Sequence, residues 1–291
     1  MNRPNWRILL LAGCAVWASA STAADSLPRN APVPGGVAIL DLAPSREAAP
    51  AAEYRGRRIA VRQNGASWEA LIGIPLAVSP GPASIEITYA DGRKDSRAFT
   101  VGTKEYATQH LTIKNKRMVN PNQQDLKRIS AERGKINAAF LNWRDETDLP
   151  TQFISPVAGP MSSPFGLRRY FNDQARKPHS GLDIAAPEGA AVRAPAAGVV
   201  IEAGDFFFNG NTVFIDHGQG LITMYCHLSR IDAKPGQVLT QGEVFAAVGK
   251  TGRVTGPHLH WSVSLNNARV DPMLFLPSSE QATLSAGSGG D

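Results

Sequence analysis

Two short motifs in the second half of the chain carry residues able to hold a metal ion. His179 and Asp183 stand four residues apart in His179-Ser-Gly-Leu-Asp183. Helical and extended backbones both return near register after four steps, so the two side chains project to one side and can reach one ion. Pro178, Gly181, Pro187 and Gly189 work against a helix, so the segment reads as a strand or loop edge carrying two ligands. In Thr255-Gly-Pro-His258-Leu-His260 a Gly-Pro turn precedes a strictly alternating stretch. His258, His260, Ser262 and Ser264 fall on one face; Leu259, Trp261, Val263 and Leu265 fall on the other. This pattern predicts a strand with its apolar side on a core and two imidazoles on the open side.

A third stretch, Leu221 to Leu228, repeats the alternation. Ile222, Met224, Cys226 and Leu228 form an apolar face, and Thr223, Tyr225 and His227 a polar one. Four of the six histidines of the chain thus share one arrangement. Any one alone reads as an ordinary hydrogen-bonded histidine; the paired motifs together favour a metal site.

These residues, with Ser163-Pro-Phe-Gly166 and Arg168, Ala194-Pro-Ala-Ala-Gly198, Asp216-His-Gly218, His227-Leu-Ser229, Gly249 to Gly252 and Val270-Asp-Pro-Met-Leu-Phe-Leu276, resemble the lysostaphin and LytM type zinc metallopeptidases, peptidase family M23. The likeness runs over about residues 155 to 277. It implies that His179, Asp183 and His260 bind zinc. It also implies that His227 and His258 activate water and stabilise charge, and that the substrate is a peptide bond of cell-wall peptidoglycan, in a cross-link or a stem. The residue types suit that chemistry. Three protein ligands leave a zinc position for water, and two neutral imidazoles with one carboxylate leave the complex positive. No helical HExxH motif supplies a glutamate base, so nearby histidines must move the protons. A reading from another class is a LytM-like module without activity that binds cell-wall peptides or activates another hydrolase.

Other candidates have structural readings. His217 reads as a structural histidine at a turn. Cys226 beside His227 raises a Cys-His hydrolase, but strand alternation puts the two side chains on opposite faces, which makes Cys226 a core residue. Phe206-Phe-Phe208 reads equally as cleft lining and as core.

The elements that must position these residues read as follows. Met1 to Ala24 has Arg3 and Arg7 before an apolar run and small residues at Ala18-Ser-Ala20, the pattern of a secretory signal peptide. The run is too short for an integral membrane span, which needs about 20 apolar residues. A competing reading is lipid anchoring at Cys14, in Leu11-Ala-Gly-Cys14. Either way export to the periplasm or cell envelope is expected; removal of a signal peptide would leave Cys226 as the remaining cysteine, with no internal disulfide. Residues 25–113 predict a small β-sandwich, with a strand at Gly36 to Leu42 and hairpins at Asn64-Gly65 and Asp91-Gly92; substrate positioning and a plain spacer are both open for it. Residues 114–150 predict a linker helix, capped by Asn120 with Pro121 first in the helix, and apolar at Leu126, Ile129, Ile136, Phe140 and Trp143. Being next to the catalytic motifs, it is also a candidate cover for the cleft. The resemblance implies an antiparallel β catalytic domain over residues 151–277, and 278–291 read as a disordered tail. The fold class is therefore mainly β. A composition of 43% hydrophobic and 19% charged residues is ordinary for a globular protein, and a net charge of +5 suits an anionic envelope polymer. No basic-aromatic stripe argues for nucleic acid.

Overall fold

The computed structural model describes residues 27–285. The expected signal segment and Cys14 lie outside them. Seven strands form the small domain: β1 (Val37–Pro44), β2 (Ala51–Tyr54), β3 (Arg57–Arg58), β4 (Ala60–Asn64), β5 (Ser67–Gly73), β6 (Gly81–Thr88) and β7 (Lys94–Val101). They make two antiparallel sheets, ordered β1-β5-β4 and β3-β2-β6-β7. Both hairpins form where the Asn-Gly and Asp-Gly turns stand, with Asn64 opposite Ser67 and Thr88 opposite Lys94. Ala70 and Ile72 of one sheet meet Ala52, Ile85 and Ile87 of the other in one buried cluster, which makes the pair a sandwich.

The period of two then gives the first sheet a second use. Val37, Ala60 and Leu71 alternate with Ala38, Val61 and Ala70 and point the other way, into the core of the large domain. Two side-chain amides close this boundary. Asn266 accepts from the Gly73 N–H at 2.7 Å and donates to the Gly73 carbonyl at 3.0 Å. Gln219 does the same for Val61, at 2.8 and 3.0 Å. The small domain is thus packed on the large one through shared core rather than held apart as a spacer.

Strand β8 (Thr108–Leu111) and helix α1 (Gln123–Leu141) follow. Although β8 falls within the interval expected for the small domain, it pairs in parallel with a strand of the large one, β10 below. The helix starts two residues later than the sequence suggests. Asn122, not Asn120, is the cap: its side chain accepts from Asp125 N while the Asp125 carboxylate accepts from Asn122 N, a reciprocal capping box. Pro121 consequently precedes the cap, and the helix runs unbroken through Gly134. Its apolar stripe is only partly used. Ala139 and Phe140 are buried, Leu126 is 54% exposed, and Trp143 lies beyond the helix end with the Arg58 guanidinium over its ring at 4.1 Å.

The large domain contains β9 (Met161–Ser163), β10 (Arg168–Phe171), β11 (Gln174–Ala175), β12 (Leu182–Ala185), β13 (Ala191–Arg193), β14 (Gly198–Phe206), β15 (Gly210–Asp216), β16 (Ile222–Ile231), β17 (Val238–Leu239), β18 (Val244–Val248), β19 (His258–Leu265) and β20 (Ala268–Val270). Its main sheet is antiparallel throughout, in the order β17-β14-β15-β16-β19-β12-β9, with β18 joining β13 to β16 and β20 on β19. The alternation read in β19 is observed: Leu259, Trp261, Val263 and Leu265 are fully buried in the main core. Its other face is open only at the histidines, since Ser262 and Ser264 are buried as well. The tail departs from expectation. Residues 278–285 form a helix, α2 (Ser278–Ser285), because Leu284 finds a place in the main core at 1% exposure.

The Asn266 clasp generates a stability prediction. Asn266→Ala strips both polar groups of Gly73 of their partners in a buried boundary, and each orphaned group costs about 1–3 kcal/mol. The urea midpoint should fall with unchanged slope; an unaltered midpoint would mean that the boundary does not depend on the clasp.

Candidate metal centre and cleft

The pairing of β12 with β19 puts Asp183 directly opposite His260. His179 lies just before β12, where its backbone N–H donates to the Leu167 carbonyl at 2.9 Å and its carbonyl accepts from Gly166 N at 2.8 Å. Gly181 between them is required by space: a Cβ there would stand 2.6 Å from the Trp261 carbonyl and 2.7 Å from the His260 ring. Hence the spacing that brings His179 and Asp183 to one side also brings them onto His260.

Their donor atoms converge. His179 Nε2 lies 2.9 Å from Asp183 Oδ1 and 3.0 Å from His260 Nδ1, and His260 Nδ1 lies 2.7 Å from the same carboxylate oxygen. The opposite nitrogen of His179 faces the Pro164 carbonyl at 2.7 Å, which can only accept, so the proton sits on Nδ1 and the lone pair on Nε2. His260 Nε2 faces the Ser262 hydroxyl at 3.0 Å. Three electron-pair donors therefore meet with at most one proton among them while the imidazoles are neutral. That donor set, two imidazoles and one carboxylate, fits a divalent cation of the zinc type. The second carboxylate oxygen of Asp183 accepts from Arg169 Nη2 at 2.8 Å, and the same Nη2 donates to Ser163 at 3.0 Å. Burial lowers His260 to about 4.

His258 and His227 flank this cluster. His258 Nδ1 donates to the Gly256 carbonyl at 2.9 Å, and its Nε2 lies 3.9 Å from Asp183 Oδ1. His227 Nδ1 donates to the Thr251 carbonyl at 2.9 Å, and its ring centre is 4.9 Å from that of His258 and 6.1 Å from that of His260. Burial, then the neighbouring His258 and His260, lowers the His227 pKa to about 3. Each flanking ring thus spends its N–H on a backbone carbonyl and keeps a lone pair on Nε2. His217 is elsewhere, buried between the Ala197 carbonyl at 2.7 Å and the Thr223 hydroxyl at 2.8 Å, as a structural histidine.

His227 reaches the site by a route that strict alternation excludes. Tyr225 pairs with Trp261 and points into the main core, and Cys226 pairs with His260 on the opposite side. Alternation would therefore send His227 into the core. Instead two residues, Cys226 and His227, oppose the single Thr212 of β15. This β-bulge holds His227 at φ +67°, turns its ring toward His258 and restores Leu228 to the core. Before the bulge, over residues 222–226, the expected faces are exchanged: Thr223 and Tyr225 are buried against the main core and bonded to each other at 2.8 Å, while Ile222, Met224 and Cys226 pack with Phe140 and Phe214.

A cavity of about 460 Å³ opens on His179, His227 and His260. Ile129, Arg133 and Ile136 of α1 give it one wall, and Arg169, Phe208 and Arg253 contribute to its lining. The three phenylalanines divide their roles: Phe206 is core, Phe207 is buried beneath Arg128, and Phe208 faces the cleft. Arg169 was the residue hidden from sequence reasoning, which singled out its exposed neighbour Arg168. Its parity with the buried Phe171 in β10 is the signal that points it inward.

The fold and the histidine cluster define a metallopeptidase-like domain behind a small β domain. Residues 177–272 match the sequence model of peptidase family M23, and residues 30–104 match that of the peptidase family M23 N-terminal domain. A crystal structure described as a peptidase M23 from Pseudomonas aeruginosa is 46% identical, with TM-score 0.72, and the likeness covers 84% of this chain and 95% of that one. The chain belongs to peptidase family M23. Among curated relatives, the DD-carboxypeptidase/endopeptidase Mpg of Neisseria meningitidis is 44% identical over 121 residues, covering 41% of this chain and 28% of the relative. The peptidoglycan DD-endopeptidase ShyC of Vibrio cholerae is 39% identical over 125 residues, covering 42% and 29%. The chain therefore spans under a third of the length of these curated relatives.

A non-glycine residue at φ +67° carries a conformational cost of about 1 kcal/mol or more, which glycine escapes. His227→Gly should accordingly be more stable than His227→Ala by about 1 kcal/mol in denaturant unfolding. Equal stabilities would mean that the bulge is unstrained.

Proposed function

We propose that this chain is an exported zinc metalloendopeptidase that hydrolyses peptide bonds of bacterial peptidoglycan, in cross-links or stem peptides. The observation that carries this reading is the convergence of His179, Asp183 and His260 with two further imidazoles, His227 and His258, that have lone pairs to offer and no place in the ligand set. A binding module needs no such pair. The names of the relatives, which are peptidoglycan endopeptidases, supply the substrate class. Among the described residues no helix is long and apolar enough to cross a membrane.

In this reading His179, Asp183 and His260 would hold the zinc, and Arg169 fixes the Asp183 carboxylate by bonding its outer oxygen. When bound, zinc supplies Lewis acidity, polarising the peptide carbonyl and lowering the pKa of the attacking water. His227 and His258 stand on the flank with Nε2 free: either can accept the proton of the attacking water, and the imidazolium so formed faces the developing oxyanion and stabilises its charge. The proton is then delivered to the leaving amine. The alternative module that only binds or activates would use the same cleft without turnover.

Two outcomes test the assignment. Alanine at His179, Asp183 or His260 should strip zinc at moderate chelator, read by metal analysis; a full equivalent of zinc retained by His179→Ala would overturn the ligand set. Alanine at His227 or His258 should leave zinc content near normal and lower turnover on purified sacculi by about 10² to 10⁴, the usual worth of a positioned acid or base. Zinc loss in His258→Ala equal to that in His260→Ala would indicate a closed four-ligand site and favour the binding module.

A further inference from the structure

The cleft is strongly cationic, and one of its cations is held in a manner that the hydrolytic chemistry does not require. Arg253 follows Gly252, whose φ is +76° and whose missing Cβ would stand 2.4 Å from Gly210 N and 2.5 Å from the Phe208 carbonyl. No larger residue fits there, so the loop lies flat on residues 208–210, and Arg253 N donates to the Phe208 carbonyl at 2.8 Å. The residue before Gly252 is Thr251, whose carbonyl fixes His227 and whose hydroxyl is bonded to the Leu228 carbonyl at 2.9 Å. One rigid loop therefore sets the position of Arg253 relative to His227.

The guanidinium lies over two aromatic rings, 4.6 Å from the centre of Phe171 and 4.3 Å from that of Phe208. Of its five N–H groups, one has a hydrogen-bond partner among the described residues, the Met118 carbonyl at 3.3 Å. No carboxylate among the described residues pairs with it. Glu132, the acidic residue of the cleft lining, is occupied by Arg128 and by Phe207 N, and Arg169 is occupied by Asp183. Burial, followed by the like charges of Arg169 and Arg176, lowers the Arg253 pKa to about 10. A stacked, pre-oriented guanidinium with unspent donors, sited in a cleft of like charge, is built to receive a carboxylate by paired charge-assisted hydrogen bonds.

We propose that Arg253 is a specificity residue that selects peptides carrying a free carboxylate on a residue adjoining the scissile bond. The proposal rests on the peptide-hydrolase reading and narrows its substrate. A purely structural Arg253, serving only to brace Phe171, Phe208 and Met118, would not distinguish an acid from its amide.

The test uses the zinc-loaded full chain and two synthetic cross-linked peptides that differ at one group, a free carboxylate or a carboxamide beside the scissile bond. Each is made also with a reduced, uncleavable bond for calorimetry. The acid peptide should exceed the amide by about 10- to 100-fold in kcat/KM, and its uncleavable form should bind tighter by a similar factor, the range of one charged hydrogen-bond pair. Arg253→Met, which keeps the stacked volume, should erase both preferences, and Arg253→Lys should retain part of them. Equal handling of acid and amide by the unaltered protein overturns the proposal even if no variant folds. A folded Arg253→Met protein that keeps the preference overturns it as well. Cleavage of both peptides at one rate would leave the hydrolase standing without this subsite. Tighter binding of the acid form with no cleavage of either peptide would leave the subsite standing without the hydrolase.

Discussion

Three electron-pair donors lie within 3.0 Å of one another with at most one proton among them, so at least one pair of lone pairs faces without a proton between, a strain that a cation among them would relieve. The folded chain must force that juxtaposition, and much of the large domain can be understood as the means. Register sets Asp183 opposite His260 in adjacent antiparallel strands, so neither can withdraw without breaking the ladder. His179 is pinned by backbone bonds on both its N–H and its carbonyl. Arg169 holds the outer carboxylate oxygen, and Ser163, on the strand beyond β12, helps hold Arg169. Removing any of these would let the donors spread apart.

The site was legible in the sequence where backbone geometry is regular. Period-two alternation in residues 258–265 marked both the imidazole face and the buried face, and the four-residue spacing of His179 and Asp183 needed no more than the pleat to be read. Reading failed where the chain departs from regularity. A bulge leaves no mark in composition, so alternation that rightly grouped His227 with the other histidines wrongly put Thr223 and Tyr225 on the same open face. At α1 the cap expected at Asn120 lies instead at Asn122, which has Asp125 three residues on to complete the reciprocal box. In residues 278–285 a single leucine with a core vacancy to fill outweighed a composition that reads as tail.

The small domain and α1 bear on the cleft unequally. β5 shares its two faces between the sandwich and the large-domain core, so the domain is part of the rigid body that carries the site. Helix α1 is attached mainly near its ends, through the Arg117–Asp125 pair at the first turn and Phe140 at the last, with Arg128 and Glu132 reaching to residues 205–207 between. Its exposed length and few apolar contacts make it the less stable wall of the cavity. A cover on the cleft, if it moves, would move at this element and not at the sandwich.

The bulge also changes the reason for setting Cys226 aside. Alternation was the argument from sequence, and the bulge cancels it, because the extra residue allows Cys226 and His227 to lie away from the main core together. Cys226 is even the cross-strand partner of His260. What disqualifies it is its surroundings. The thiol is 1% exposed among Phe140, Phe214, Ile222 and Met224, and burial pushes its pKa up, away from the thiolate that a nucleophile requires. His227 has meanwhile committed its N–H to Thr251. A cysteine next to a histidine is thus inert here for reasons of solvation and partner choice, whereas the same histidine, turned by one extra residue, gains a position beside the His179, Asp183 and His260 cluster.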